Sequence, residues 1–332
     1  MTIIAETLGR VTLEGAVSHR NLGVFPLLGE ETGSPDYLIL EEALDSGCTR
    51  VTEVSEAGSV PELKLVNECE QPVLLLDGEE LVGAKQNRIL NLTILAPAGK
   101  ATVIPVSCVE AGRWYHESAE FRSAARAHYS SGRARKAAQV SDSLRVSGSR
   151  RSDQGAVWDD IALKSGRMGA ESRTHAAAAM YEAHRVNLEE FVEALPCRER
   201  QVGAVFTING AVMGLDLFDN PATYARQAGK LVRSYALDAI DAREEEGSGT
   251  EEVARNFLAE AAAARQDRFP AVGLGEDVRL SGPRLTGAAL EAEGRVVHLC
   301  AFRLAHDSGG TRSFRGTRMV RASRRRRDVG PR

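Results

Sequence analysis

"LLLDGEELVGAKQNRILNLTIL", residues 74–95, holds Asp77, Glu79, Glu80, Lys85, Gln86, Asn87 and Arg88 between two apolar runs. A surface loop has no need of three leucines before its polar groups and Leu-Thr-Ile-Leu after them. The spacing predicts two strands around a tight connection, with Asp77-Gly78 as turn-forming punctuation. Taken as one strand, residues 85–93 put Lys85, Asn87, Ile89, Asn91 and Thr93 on one face, and Gln86, Arg88, Leu90 and Leu92 on the other. The second face is apolar, then turns to a guanidinium and an amide. Buried polar groups without partners cost about 1–3 kcal/mol each, so two readings stand side by side. In one, the strand end opens into a cleft for an anionic, hydroxyl-rich ligand. In the other, it closes a sheet corner with an internal network in which Glu79 and Glu80 neutralise Lys85 and Arg88.

Outward from this stretch, the first third of the chain reads as short, turn-bounded strands, among them "VTLEGAV", "GVFPLLG", "TRVTEVSE" and "KATVIPVSCVEAGRW". "LILEEALDSG" offers one or two helical turns, with Gly47 placed to end them. Strands at this spacing suggest an antiparallel sandwich or a barrel-like sheet. After Trp114 the texture changes: residues 115–155 are rich in Ser, Arg and Ala, and "VSGSRRSDQG" reads as a basic loop. Residues 169–195 give the clearest helical periodicity, with Met180, Leu188, Phe191 and Leu195 on one face and Glu171, His175, Glu182 and Glu189 on the solvated one. "QVGAVFTINGAVMGLDLF" predicts a hairpin turning at Asn209-Gly210. Asn220-Pro221 then caps a further helix, and "EEVARNFLAEAAAAR" gives another before a closing strand group. The expected fold is α+β: a strand-rich, sandwich-like half over residues 1–114, and helices with a second strand group over 115–305 packed on it as one unit. Residues 306–332 read as a disordered basic tail.

Composition narrows the function. A net charge of -4 over 332 residues implies no global attraction to nucleic acid or to a membrane surface. The basic stretch at 113–151, with nine Lys/Arg against three Asp/Glu, matches no polynucleotide-binding pattern. No apolar run reaches the roughly 20 residues that span a bilayer, so a cytoplasmic protein is expected. Five scattered cysteines without a CxxC pair fit free thiols in a reducing compartment, and no metal ligand set is assigned. Cys108, in "PVSCVEAG", is expected to be a small core residue rather than a nucleophile.

The run "VLLLDGEELVGAKQNRILNLTILAPAGKATVIPVSCVEAGRW", with "SDQGAVWDDI", "GLDLFD" and "KLVRSYALDA", resembles the ARG and rhodanese-phosphatase-superfamily-associated protein domain family over about residues 8–305. The resemblance emphasises Asp77, Gly78, Glu79, Glu80, Gly83, Lys85, Gln86, Asn87, Arg88, Ser107, Cys108, Glu110, Gln154 and Trp158. It implies a place in ADP-ribose or related nucleotide processing, without an established reaction and without naming a cofactor. The expected function is therefore binding of an ADP-ribose-like or other phosphorylated nucleoside, with or without its hydrolysis. Arg88 and Lys85 would hold phosphate, Gln86 and Asn87 would hold hydroxyls or base, and Glu80 would be the candidate general base. Lys85 stands beside Glu80 as a candidate catalytic group; Glu79, Asn91, Ser107, Gln154 and Trp158 complete the expected ligand set. The rival readings are a scaffold or sensor with a structural polar network, and a carbohydrate-type β-sandwich binder.

Overall fold

The computed structural model describes residues 2–55, 61–115, 118–242 and 249–304; the expected basic tail lies outside them. α1 (Ile3–Arg10) starts at Thr2, whose hydroxyl accepts from the Ala5 amide, and β1 (Thr12–Leu13), β2 (Val17–His19) and β3 (Leu22–Leu28) follow. β4 (Leu38–Ile39) runs into α2 (Leu40–Asp45), a helix ended by Gly47 in the left-handed region as expected. β5 (Thr49–Glu53) and β6 (Glu62–Asn67) come next. The polar stretch supplies β7 (Val73–Leu75), β8 (Glu79–Gly83), β9 (Arg88–Leu90) and β10 (Ile94–Ala96). β11 (Lys100–Cys108) and β12 (Phe121–Ala127) precede α3 (Ser130–Ser147), α4 (Gln154–Arg167), α5 (Ala178–Ala183) and α6 (Arg185–Ala194). β13 (Gln201–Ile208) and β14 (Ala211–Phe218) form the expected hairpin, with Asn209 and Gly210 both at positive φ. α7 (Pro221–Asp241) is capped by Asn220, and α8 (Glu251–Ala263) leads to β15 (Arg265–Pro270), β16 (Glu276–Gly282), β17 (Leu285–Ala292) and β18 (Arg295–Arg303).

The fold is α+β, and its strands form three sheets. A nine-stranded sheet runs β1-β3-β13-β14-β18-β17-β16-β15, with β2 also paired to β3. One face of this sheet packs on α1 and α8 through Phe25, Leu27, Val205, Leu215 and Leu299. The other packs on α3, α6 and α7 through Leu22, Val24, Phe206 and Phe302. A second group, β11-β6-β5-β12-β8-β9, closes into a barrel, so the barrel side of the expected sandwich-or-barrel alternative is the one adopted. A small sheet, β10-β7-β4, lies beside it. β12, beyond residue 114, completes the barrel, while β1–β3, before it, belong to the large sheet.

Three local expectations are corrected. Residues 85–93 are not one strand: Ala84 at φ +40 begins a tight connection through residues 84–87, β9 is three residues long, and β10 joins a different sheet. The basic loop expected over 146–155 is shorter, covering residues 148–153, because α3 runs on to Ser147 and α4 already begins at Gln154. The long helix expected over 169–195 begins only at Ala178, since His175 takes φ +51, and it breaks again at His184 between α5 and α6.

Candidate functional site

Strand parity divides the polar stretch between two environments. On β9, Leu90 joins the barrel core while Ile89 joins the core under the large sheet, so Arg88 shares the inward side of Leu90. Arg88 faces Leu81 on β8 and Cys108 on β11 across the ladder. Cys108 in turn shares the inward side of Val106 and Ile104, and Glu53 that of Val51. Three polar residues, Glu53, Arg88 and Cys108, therefore end the apolar inward faces of β5, β9 and β11. The mouth of a small barrel is a common place for a ligand.

Half of the expected site residues face elsewhere and are paired. Glu79 accepts from Lys230 at 2.6 Å and from Ser123 at 3.1 Å. Glu80 is gripped by Arg126, at 2.6 Å from Nε and 3.2 Å from Nη2. Hence Glu79 and Glu80 do not neutralise Lys85 and Arg88 as expected; cations from β12 and α7 reach them first. Asn87 accepts from Arg113 Nη2 at 2.9 Å and donates to Glu80 at 3.4 Å. Asn91 donates to the Arg150 carbonyl at 3.0 Å and accepts from the Ser107 hydroxyl at 2.6 Å. These side chains tie the barrel to its surroundings.

The other half converges at the barrel end. Arg88 has no exposed surface, yet among the described residues only its Nη1 is hydrogen-bonded, to Gln86 Oε1 at 3.1 Å and more weakly to the Asn87 carbonyl at 3.5 Å. Its Nε and Nη2 have no hydrogen-bond partner among the described residues, and the Glu53 carboxylate stops 3.9 Å from Nη2. Burial pulls the guanidinium below its ordinary pKa and Arg113 adds to that, against the nearby Cys108, Glu53 and Glu110. Gln86 donates to the Glu110 carbonyl at 2.9 Å. Gln154, the first residue of α4, clamps the Cys108 backbone, accepting from its N–H and donating to its carbonyl at 2.8 Å each. One helical turn later, the Trp158 indole N–H is buried near the Cys108 thiol and has no hydrogen-bond partner among the described residues. Burial raises the thiol pKa even though Arg88 lies alongside, so Cys108 is held protonated. Lys85 and Arg88 both sit under the Trp114 ring, at 5.5 and 5.8 Å from its centroid, and that ring is 49% exposed.

Several residues in these networks escaped the sequence reading: Glu53, Trp114 and Arg126 near the site, and the cations Arg133 and Lys136 of an ion cluster behind it. In that cluster, Arg133 donates to both oxygens of Asp216 and to Asp77, while Lys136 binds Asp77 and the Leu90 carbonyl. The helical spacing of the small and apolar residues in α3 was the available signal for Arg133 and Lys136. Among the described residues, no group of three or more His, Cys, Asp or Glu is arranged to hold a metal ion, and no helix is long and apolar enough to cross a membrane. Cys48 and Cys69 form a disulfide across β5 and β6, correcting the expectation of five free thiols. The two residues lie 21 apart in sequence, but antiparallel pairing of β5 with β6 brings their Cα atoms to 5.0 Å.

No curated protein and no solved structure matches the chain. A family model does match, over residues 10–302, taking in the barrel, the large sheet and every element of the site. The chain therefore belongs to the ARG and Rhodanese-Phosphatase-superfamily-associated Protein domain family.

Proposed function

We propose that this protein binds an ADP-ribose-like or other phosphorylated nucleoside at the polar end of its barrel, with Arg88 gripping a phosphate. One observation carries the reading: the unpartnered nitrogens of Arg88 are Nε and Nη2. They form the edge of the guanidinium that donates two parallel hydrogen bonds to one phosphate or carboxylate. An arginine kept dry with that edge unpaired is expensive unless a ligand completes it. Trp114 and Trp158 supply flat apolar surface for a sugar or base, and Trp114 is exposed enough to swing aside on entry. Binding is better supported than turnover, because Arg126 engages both oxygens of the expected general base Glu80 and Cys108 is a neutral thiol. A cytoplasmic setting belongs to the same proposal; there the Cys48–Cys69 pair would be held reduced, so binding is to be measured with and without reductant.

The chain's two tryptophans both stand at this site, so intrinsic fluorescence reports on it directly. Titration with ADP-ribose, NAD and AMP is expected to change that fluorescence saturably. Arg88→Lys keeps the charge, loses the two-pronged edge, and should weaken binding by about tenfold or more while folding normally. The scaffold reading also has an observation behind it, the fully paired Asp77–Arg133–Asp216 cluster. It predicts instead that Arg88→Met costs about 3–5 kcal/mol in a urea melt and that no nucleotide perturbs the fluorescence.

A further inference from the structure

Glu53 ends the inward face of β5, and among the described residues neither of its carboxylate oxygens has a hydrogen-bond partner although its side chain is only 6% exposed. Arg88 is the natural donor, but Nη2 at 3.9 Å is beyond hydrogen-bonding reach. Two opposite charges thus face each other across the barrel end, each with its binding edge unsatisfied. One edge only donates and the other only accepts. A simple anion would satisfy Arg88 and be repelled by Glu53. A molecule that presents a phosphate beside neighbouring hydroxyls satisfies both.

We infer that Glu53 and Arg88 together recognise a ribosyl phosphate: Arg88 takes the phosphate, and Glu53 accepts hydrogen bonds from two adjacent sugar hydroxyls. The inference rests on the phosphate-binding role proposed for Arg88 and goes beyond it in locating specificity. Recognition then lies in the sugar–phosphate unit rather than in the base, and the Glu53 charge selects against inorganic phosphate and other bare anions. It also assigns a function to a residue that no polar motif in the sequence marks.

The test is calorimetric titration of the full chain with ribose 5-phosphate, 2-deoxyribose 5-phosphate, inorganic phosphate and ADP-ribose. The wild type should prefer ribose 5-phosphate to its 2-deoxy analogue and to inorganic phosphate. Glu53→Gln keeps the side chain's size but leaves one accepting oxygen. It should weaken ribose 5-phosphate about ten- to a hundredfold and leave inorganic phosphate unchanged or bound more tightly. Glu53 has no hydrogen bond among the described residues for the substitution to break, but the variant gives up the charge that faces Arg88, so the urea midpoint of each variant is measured alongside its binding. If Glu53→Gln weakens every probe equally, or none, while Arg88→Lys still weakens ADP-ribose, the sugar role of Glu53 falls and the phosphate role of Arg88 stands. If the wild type binds none of the four probes, both fall together.

Discussion

His128 is buried, with Lys136, Lys164, Asp77 and Asp238 close enough to act on its charge. Burial first, then Lys136, depresses its imidazole from an ordinary 6.5 to about 3. The folded protein therefore refuses a proton that the unfolded chain accepts near pH 6.5. The stability this represents is complete above that pH and is lost as pH falls toward 3, at up to about 1.4 kcal/mol per pH unit. A second arm begins lower. Burial alone would raise the carboxyls of Asp77, Asp216 and Asp238, but their cation partners (Lys136 and Arg133, Arg133, and Lys164, respectively) outweigh it and hold them below the ordinary range. Their contribution is present above about pH 4 and fades below it. Urea midpoints measured from pH 7 to 3 should decline in the wild type from about 6.5 downward. In His128→Asn the midpoint should stay level until about pH 4 and only then fall. A wild-type curve flat between 7 and 4 would contradict the buried neutral imidazole.

At the scale of elements, the Asp77-Gly78 turn shows how one connection serves both the barrel and the ion cluster. Gly78 takes φ +79, and a Cβ there would come within 2.9 Å of Arg133 Cγ on α3. Gly47, after α2, takes a similar φ of +74 with open space around it. The two glycines separate backbone strain from close approach. Gly47→Ala should cost about 1 kcal/mol from conformation alone, whereas Gly78→Ala should cost about 2–4 kcal/mol, since it also displaces a buried arginine. Equal losses for the two in urea melts would mean that α3 gives way freely and is not pinned to the turn. α3 is also the element whose character the sequence hid. Its exposed and buried faces both carry Arg and Ser, so hydrophobic periodicity is weak, and its place is set by Asp77 and Asp216 on other elements.

Across the whole molecule, Cys108 ends a barrel strand and Cys300 lies on β18 of the large sheet, which makes cysteine accessibility a test of the architecture. Cys108 and Cys300 are buried, and burial pushes the Cys300 thiol up to about 12. Cys197 alone among the free cysteines is exposed. A thiol reagent should modify Cys197 first in the native oxidised protein, at a rate slowed by the partial burial that raises its pKa, and Cys48 and Cys69 only after reduction. Cys108 and Cys300 should wait for unfolding. Reduction should also lower stability by about 3 kcal/mol, the loop-entropy value for a bridge of this span. Rapid labelling of Cys108 without denaturant would show the barrel end open to reagents and would reopen its role as a nucleophile.

The sequence by itself determined the elements whose signals are local. Asn209-Gly210 turns a hairpin, Asn220-Pro221 starts α7, and Thr-alternating or apolar runs become strands. It also singled out Gln86, Arg88 and Cys108, to which only the family resemblance added Gln154 and Trp158, and the fold brings the five to one barrel end. What it could not determine is which charge meets which. Lys230 reaches Glu79 across 151 residues, Arg133 reaches Asp216 across 83, and Arg126 reaches Glu80 across 46. Periodicity tells which side of a strand or helix is apolar, but not which other element that side will meet. Only the closed barrel, packed on α3 and α7, decided that Glu79 and Glu80 are tied into the frame while Glu53 and Arg88 face each other unsatisfied. The physical reason is that an ion pair is chosen by proximity in space, and that proximity exists only once the chain has folded.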